Sequence, residues 1–189
     1  MIPSPAITET HMAPDGRVHD APASLARLAS AYMGRPVPLD VYALARMGHS
    51  ETDPDHAETL PLRIHVALND LADLNARKHL GWTPADLITY STQPMHRGFF
   101  GEQHIGRRYA STKDPTAADV FAVEQVLSDR AEGIDPTHGA LKFVDKLSMG
   151  KQHGSGKFDA LVTSWAAEGL HPGTVEGMPD HFIVFRRNA

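Results

Sequence analysis

Ala131-Glu132-Gly133-Ile134-Asp135-Pro136-Thr137-His138-Gly139-Ala140-Leu141-Lys142-Phe143 is the stretch from which the remainder of the chain is best read. It follows a well-patterned helical segment, breaks at Gly133, turns at Asp135-Pro136-Thr137 and resumes with small and then apolar residues. Asp and Thr side chains hydrogen-bond their own backbone in such turns, and Pro pre-sets one dihedral angle. The segment therefore predicts a rigid turn of the kind that holds one wall of a cleft. Its partner in the reading is Glu51, which ends an apolar helical segment much earlier in the chain.

Working upstream, residues 114–132 predict a helix opened by Asp114-Pro115 or by Thr116, with Val120, Val123 and Leu127 and the flanking Phe121 and Val126 facing inward. The best amphipathic pattern covers 58–79, where Leu60, Ile64, Ala67, Leu68, Leu71 and Leu74 recur at helical spacing. Thr83-Pro84 reads as an N-cap followed by proline at the first helical position, so a short helix is expected over 84–88. Asp40 is placed to cap a helix over 41–50, whose Val41, Leu44, Ala45 and Gly48 share a face. A further helix is expected over 24–33, stopped by Gly34.

Helical periodicity is absent between Tyr90 and Lys113, where Gly98, Gly101 and Gly106 interrupt aromatic and charged residues; this reads as a long loop with a functional use. Downstream, 139–146 reads as one or two further helical turns, and Gly150, Gly154 and Gly156 predict a mobile connection over 151–157. Leu161-Val162-Thr163-Ser164-Trp165 and His181-Phe182-Ile183-Val184-Phe185 are rich in β-branched and aromatic residues, and the Gly/Pro-containing stretch 169–179 between them predicts a hairpin. The expected fold class is thus mainly α (α+β), a helical domain over 22–189 with a small C-terminal β-hairpin, preceded by an extended arm over 1–21.

Bulk composition narrows the functional classes. The chain has 189 residues, enough for one domain with a sizeable core and short for two. Its 41% hydrophobic and 22% charged residues describe an ordinary globular chain. A net charge of −5 with both signs mixed gives no basic stripe, so nucleic acid is not an expected partner. No apolar run approaches the roughly 20 residues needed to span a bilayer, and the N-terminal residues lack the basic and apolar parts of a signal peptide. With no cysteine, disulfides, thiol nucleophiles and cysteine zinc sites are excluded. The twelve histidines raise the idea of a zinc ion between His49, Asp53 and His56, but no His-Glu-x-x-His spacing is present and no metal or other cofactor is expected. Ser91 and Ser164 lack the Gly-x-Ser-x-Gly surroundings of a serine hydrolase.

A glutamate at a helix end, a helix containing Val66-Ala67-Leu68-Asn69, then Tyr90-Ser91, then a helix leading into Glu132-Gly133-Ile134-Asp135-Pro136-Thr137-His138-Gly139-Ala140-Leu141-Lys142-Phe143 resembles the SleB-like cell wall hydrolases of the lysozyme-like superfamily. The resemblance spans roughly 41–143, with Met178-Pro179-Asp180-His181-Phe182 similar to the family's closing strand, and Asp-Pro-Thr-x-Gly-Ala is its most specific part. Two departures bear on substrate detail: Asp70 stands where the family usually has arginine, and 98–112 is longer and more basic than usual.

The resemblance implies a peptidoglycan-degrading glycosidase, a muramidase or a lytic transglycosylase, with a lysozyme-like fold and Glu51 as general acid/base. Protonating a glycosidic oxygen near neutral pH requires a carboxyl group whose pKa is raised, and both an apolar setting and a helix C-terminus act in that direction. Tyr90 and Ser91 match the family's aromatic-serine pair. Glu102, Gln103, Arg107 and Tyr109 supply amide, charged and aromatic groups suited to a glycan carrying peptide carboxylates, and Thr137 lies in the turn beside the expected cleft. Glu102, Asp53 and Asp55 are candidates for a second carboxylate. Without an export tag the enzyme would act at the cell wall or periplasm through a carrier such as a phage tail or injection assembly. The alternative reading is a catalytically inactive lysozyme-like component of such an assembly.

Overall fold

The structure, a computed structural model, describes residues 11–12, 18–19, 33–52, 54–90, 115–153 and 155–187. It is mainly helical, with a small antiparallel sheet near the C-terminus, in agreement with the fold class expected above. The chain divides into two compact units, residues 1–51 with 75–121 and residues 52–74 with 122–189.

Within the first unit, β1 (His11–Met12) and β2 (Val18–His19) pair as a two-residue antiparallel ladder. The expected helix over 24–33 lies outside the described residues except at Met33. Helix α1 (Leu39–Glu51) begins where the Pro38 carbonyl accepts from the Tyr42 amide at 3.0 Å. One apolar face was expected, yet residues 41–48 are all buried, as in a helix enclosed on every side. Arg46 tolerates this burial because its Nη1 donates to the Tyr42 hydroxyl at 3.3 Å. Asp40 does not cap its own helix; its carboxylate accepts from the amide of Ala85 at 3.0 Å, tying α1 to α3 (Pro84–Tyr90). Helix α3 begins as expected, with a reciprocal cap: the Asp86 amide donates to the Thr83 hydroxyl at 3.3 Å and the Thr83 amide to the Asp86 carboxylate at 2.9 Å.

Helix α2 (Leu60–Lys78) follows a 3-10 segment, Pro54–Thr59. Of its expected apolar stripe, Leu60, Ile64, Ala67, Leu68 and Leu71 are buried, while Leu74 is only half-buried. Arg63, His65, Asn69 and Asp70 are buried too, which periodicity alone does not indicate. Helix α4 (Ala117–Ala131) is opened by Thr116 in the same reciprocal manner as α3: the Asp119 amide donates to the Thr116 hydroxyl at 3.3 Å, and the Thr116 amide to the Asp119 carboxylate at 2.6 Å. Of the residues expected to face inward, Val120, Val123 and Val126 are buried, Leu127 is only half-buried, and Phe121 is exposed, its ring beneath the Arg35 guanidinium at 5.8 Å. Closure occurs at Gly133, whose φ of 80° is left-handed. The Gly133 amide reaches the Arg130 carbonyl and the Ile134 amide reaches the Asp129 carbonyl at 2.8 Å, the paired bonds that end a helix on glycine.

Three expectations for the C-terminal part are corrected. Residues 142–145 form a strand, β3 (Lys142–Asp145), rather than helical turns. The glycine-bearing stretch 151–157 is mostly helical, divided between α5 (Lys146–His153) and α6 (Ser155–Ala167). Leu161 to Trp165 lies inside α6 and is not a strand. A short apolar run fits either state, and here the run packs as a helix face: Leu161, Val162 and Trp165 lie against the buried cluster Leu141, Val144, Leu170 and Phe185. Trp165 meets Phe185 edge-to-face at 4.7 Å. The hairpin is instead made by β4 (Leu170–Gly173) and β5 (Phe182–Arg187). Central β5 pairs antiparallel with both neighbours in the order β3-β5-β4, with Phe143 and Gly173 both opposite Val184. Pro172, which has no amide to donate, sits on the edge strand β4.

Candidate functional site

A densely hydrogen-bonded polar constellation of the second unit joins α2 to the turn over 135–140. Asp135 is its hub. Its Oδ1 accepts from the Thr137 amide at 2.9 Å and the Thr137 hydroxyl at 2.6 Å. Its Oδ2 accepts from the Gly139 amide at 2.8 Å and from Asn69 Nδ2 at 3.0 Å. The chain can close around one carboxylate in this way because His138 and Gly139 both adopt positive φ, 51° and 76°. Glycine meets that requirement without steric cost, and histidine tolerates it better than a β-branched residue would.

Asn69 joins the turn to the helix. Its Nδ2 lies 3.0 Å from the Thr137 hydroxyl and 3.1 Å from the Ala140 carbonyl besides its bond to Asp135, while its Oδ1 accepts from Arg130 Nη1 at 2.8 Å. These partners fix which end of the amide is nitrogen, since Arg130 can only donate and the Asp135 carboxylate and Ala140 carbonyl can only accept. Arg186 of β5 reinforces the turn from another direction: its Nε donates to the Thr137 carbonyl at 3.0 Å and its Nη2 to the Thr174 carbonyl at 2.7 Å.

Electrostatics follow from this wiring. Burial pushes the Asp135 carboxyl up, but the hydrogen bonds from the Thr137 hydroxyl, the Gly139 amide, Asn69 and the Thr137 amide outweigh it and hold the group below the usual carboxylate value. His65, 1% exposed and four residues before Asn69 on α2, is depressed from the ordinary imidazole value. Desolvation is the main cause; Asp135 and more weakly Asp129 oppose it, and Arg130 adds to it. One residue beyond Asn69, Asp70 faces Lys142 of β3 at 3.6 Å, both side chains being nearly inaccessible.

The residues expected to act on a substrate are distributed as follows. Glu51 is the last residue of α1, and its side chain lies outside the described residues, as does that of Tyr90 at the end of α3. Ser91, Glu102, Gln103, Arg107 and Tyr109 lie outside the described residues altogether, together with the rest of 91–114 and with Asp53. Thr137 is fully buried, its hydroxyl engaged with Asp135 and Asn69. It holds the turn together. His49 is committed to Asp119, Nδ1 to Oδ2 at 2.9 Å, and among the described residues no group of three or more His, Asp or Glu could hold a metal ion. His65 and Arg130 were not singled out by sequence; the available signal was a polar pair, His65 and Asn69, spaced one helical turn apart beside the apolar stripe of α2.

Compared with known proteins, the chain matches no family model, no curated protein and no solved structure. Among the described residues no helix is long and apolar enough to cross a membrane.

Proposed function

We propose that this chain is a peptidoglycan-cleaving glycosidase, a muramidase or lytic transglycosylase, in which Glu51 is the general acid/base. One observation carries the reading. The segment that carries the most specific resemblance to SleB-like hydrolases, Asp135 to Ala140, is bonded directly, through the Asn69 amide, to another segment of the resemblance, Val66 to Asn69. Residues distant in sequence that resemble one family and also share a buried hydrogen-bond network support a common origin for both resemblances. A second, weaker support comes from α1, whose residues 41–48 are buried and whose terminus bears Glu51.

In the proposed reaction the carboxyl group of Glu51 gives its proton to the glycosidic oxygen as the C1–O bond breaks, and the carboxylate then accepts a proton from the incoming nucleophile. That nucleophile is water in a muramidase and the muramic sugar's own hydroxyl, closing an anhydro ring, in a lytic transglycosylase. Tyr90, Ser91, Glu102, Gln103, Arg107 and Tyr109 are proposed to contact the glycan and its peptide stem. Delivery to the cell wall or periplasm by a phage tail or injection assembly belongs to the same proposal.

Purified sacculi provide the test. Wild-type protein is expected to release soluble muropeptides and Glu51→Gln to release none, with the two melting temperatures nearly equal. Mass spectrometry of the products distinguishes a reducing end from an anhydro end. Equal release by both proteins removes Glu51 from the chemistry, and no release by wild type favours a lysozyme-like component that has lost its reaction.

A further inference from the structure

His65 is the buried titratable group for which the 135–140 turn has no vacancy. Its Nδ1 is buried without a hydrogen-bond partner among the described residues and lies 3.7 Å from Oδ1 of Asp135, beyond hydrogen-bonding reach. A carboxylate offers about four acceptor positions, two on each oxygen. In Asp135 the Thr137 amide and hydroxyl occupy Oδ1, and the Gly139 amide and Asn69 occupy Oδ2. A neutral imidazole can stay beside this saturated carboxylate. A protonated one carries donors on both ring nitrogens, and the donor nearest Asp135 gains a partner only by displacing one already there. The nearest competitor is Thr137, whose hydroxyl also accepts from Asn69, so displacement at one point loosens the link to α2.

The charges acting on His65 come from two directions: Asp135 in the turn, and Arg130 and Asp129 on α4. Arg130 opposes a second cation, Asp135 and Asp129 favour one, and desolvation, the largest influence, opposes it. We propose that His65 is an acid-sensitive latch on the 135–140 turn: taking up one proton from solvent, its imidazole competes with Thr137 for the Asp135 carboxylate and the turn opens.

The sign of the effect is fixed by which state binds the proton more readily. The closed turn holds His65 neutral, so its stabilising contribution is complete above the ordinary histidine value of 6.5 and is lost as pH falls below it. This device stands independently of the proposed glycosidase activity.

Nuclear magnetic resonance on the full chain tests the proposal by following amide exchange at Thr137 and Gly139 together with the His65 ring signals. Between about pH 8 and pH 5, after correction for intrinsic exchange, protection at both amides should fall by up to about tenfold per pH unit once below the histidine value, the slope of a single-proton linkage. In His65→Gln the protection should be flat across that window. Constant protection in the wild type, or an unchanged slope in the variant, overturns the latch. Should the variant fail to fold, the wild type alone decides the matter: ring and amide signals must move with one midpoint, and separate midpoints or a ring that stays neutral refute it.

Discussion

Asn69→Ala should be among the most damaging single substitutions in the second unit. The side chain is 8% exposed, and truncation removes its links to Asp135, Thr137, Ala140 and Arg130 together. The amide has only two protons for three acceptors, so the loss is two full donor bonds shared among three partners and one accepted bond. Bonds to charged groups contribute about 1.5–3 kcal/mol each and neutral ones about 0.5–1.5 kcal/mol. The Arg130 bond is partly solvated and belongs at the low end. Because the members of one network are not additive, about 3–5 kcal/mol is expected in total, a large fraction of the 5–15 kcal/mol typical of a domain. Urea unfolding followed by far-ultraviolet circular dichroism measures this as a lowered midpoint at unchanged slope.

Asn69→Asp sharpens the argument, because it keeps the shape but sets a carboxylate 3.0 Å from that of Asp135, where an amide proton had been. Two carboxylates at that separation share a proton, so one pKa of the pair is raised and the folded state binds more protons than the unfolded. The variant should therefore regain stability as pH falls from 7 towards 5, opposite in sign to the wild type, in which the depressed His65 makes the folded state bind fewer protons than the unfolded across that window. A loss of less than about 1 kcal/mol in Asn69→Ala, the value of an ordinary solvated polar group, would refute the claim that this amide organises the turn.

Further substitutions probe the same unit. Lys142→Met should lower stability by about 3 kcal/mol in urea unfolding, because it removes the cation facing the buried carboxylate of Asp70; a change under about 1 kcal/mol would mean the pair is structurally idle. Gly139→Ala should cost about 1–2 kcal/mol although open space surrounds the site, since the penalty lies in its φ of 76° and not in a clash. Differential scanning calorimetry reads it as a lower melting temperature, and an unchanged transition would contradict the left-handed assignment.

The parts of the fold legible in sequence are those whose determinants are local. Thr83-Pro84 and Thr116 announce α3 and α4 because an N-cap and its reciprocal carboxylate lie within four residues of one another. Gly133 announces the end of α4 because the left-handed residue and the carbonyls it satisfies are neighbours. The stripe of α2 is legible because its period survives in the linear order. Of the candidate site, the self-bonding of the Asp135-Pro136-Thr137 turn was readable from residue type, while Glu51, Tyr90 and Ser91 are proposals drawn from resemblance and Glu102, Gln103, Arg107 and Tyr109 proposals drawn from residue type.

Tertiary structure decided the rest. Lys142 to Asp145 becomes a strand because β5, some forty residues further on, satisfies its backbone groups, and nothing within four residues reveals that partner. Leu161 to Trp165 becomes a helix because it packs as one on Leu170 and Phe185 while β4 takes the sheet edge that it was expected to occupy. The burial of His65, Asn69 and Asp70 likewise depends on a turn and a strand arriving from beyond residue 130. By itself the sequence determined where α3 and α4 begin, where α4 ends and where the 135–137 turn lies, since those signals are bonds between near neighbours. Which polar groups leave water, and which short apolar runs become sheet or helix, depended on partners that only folding brings within hydrogen-bonding distance.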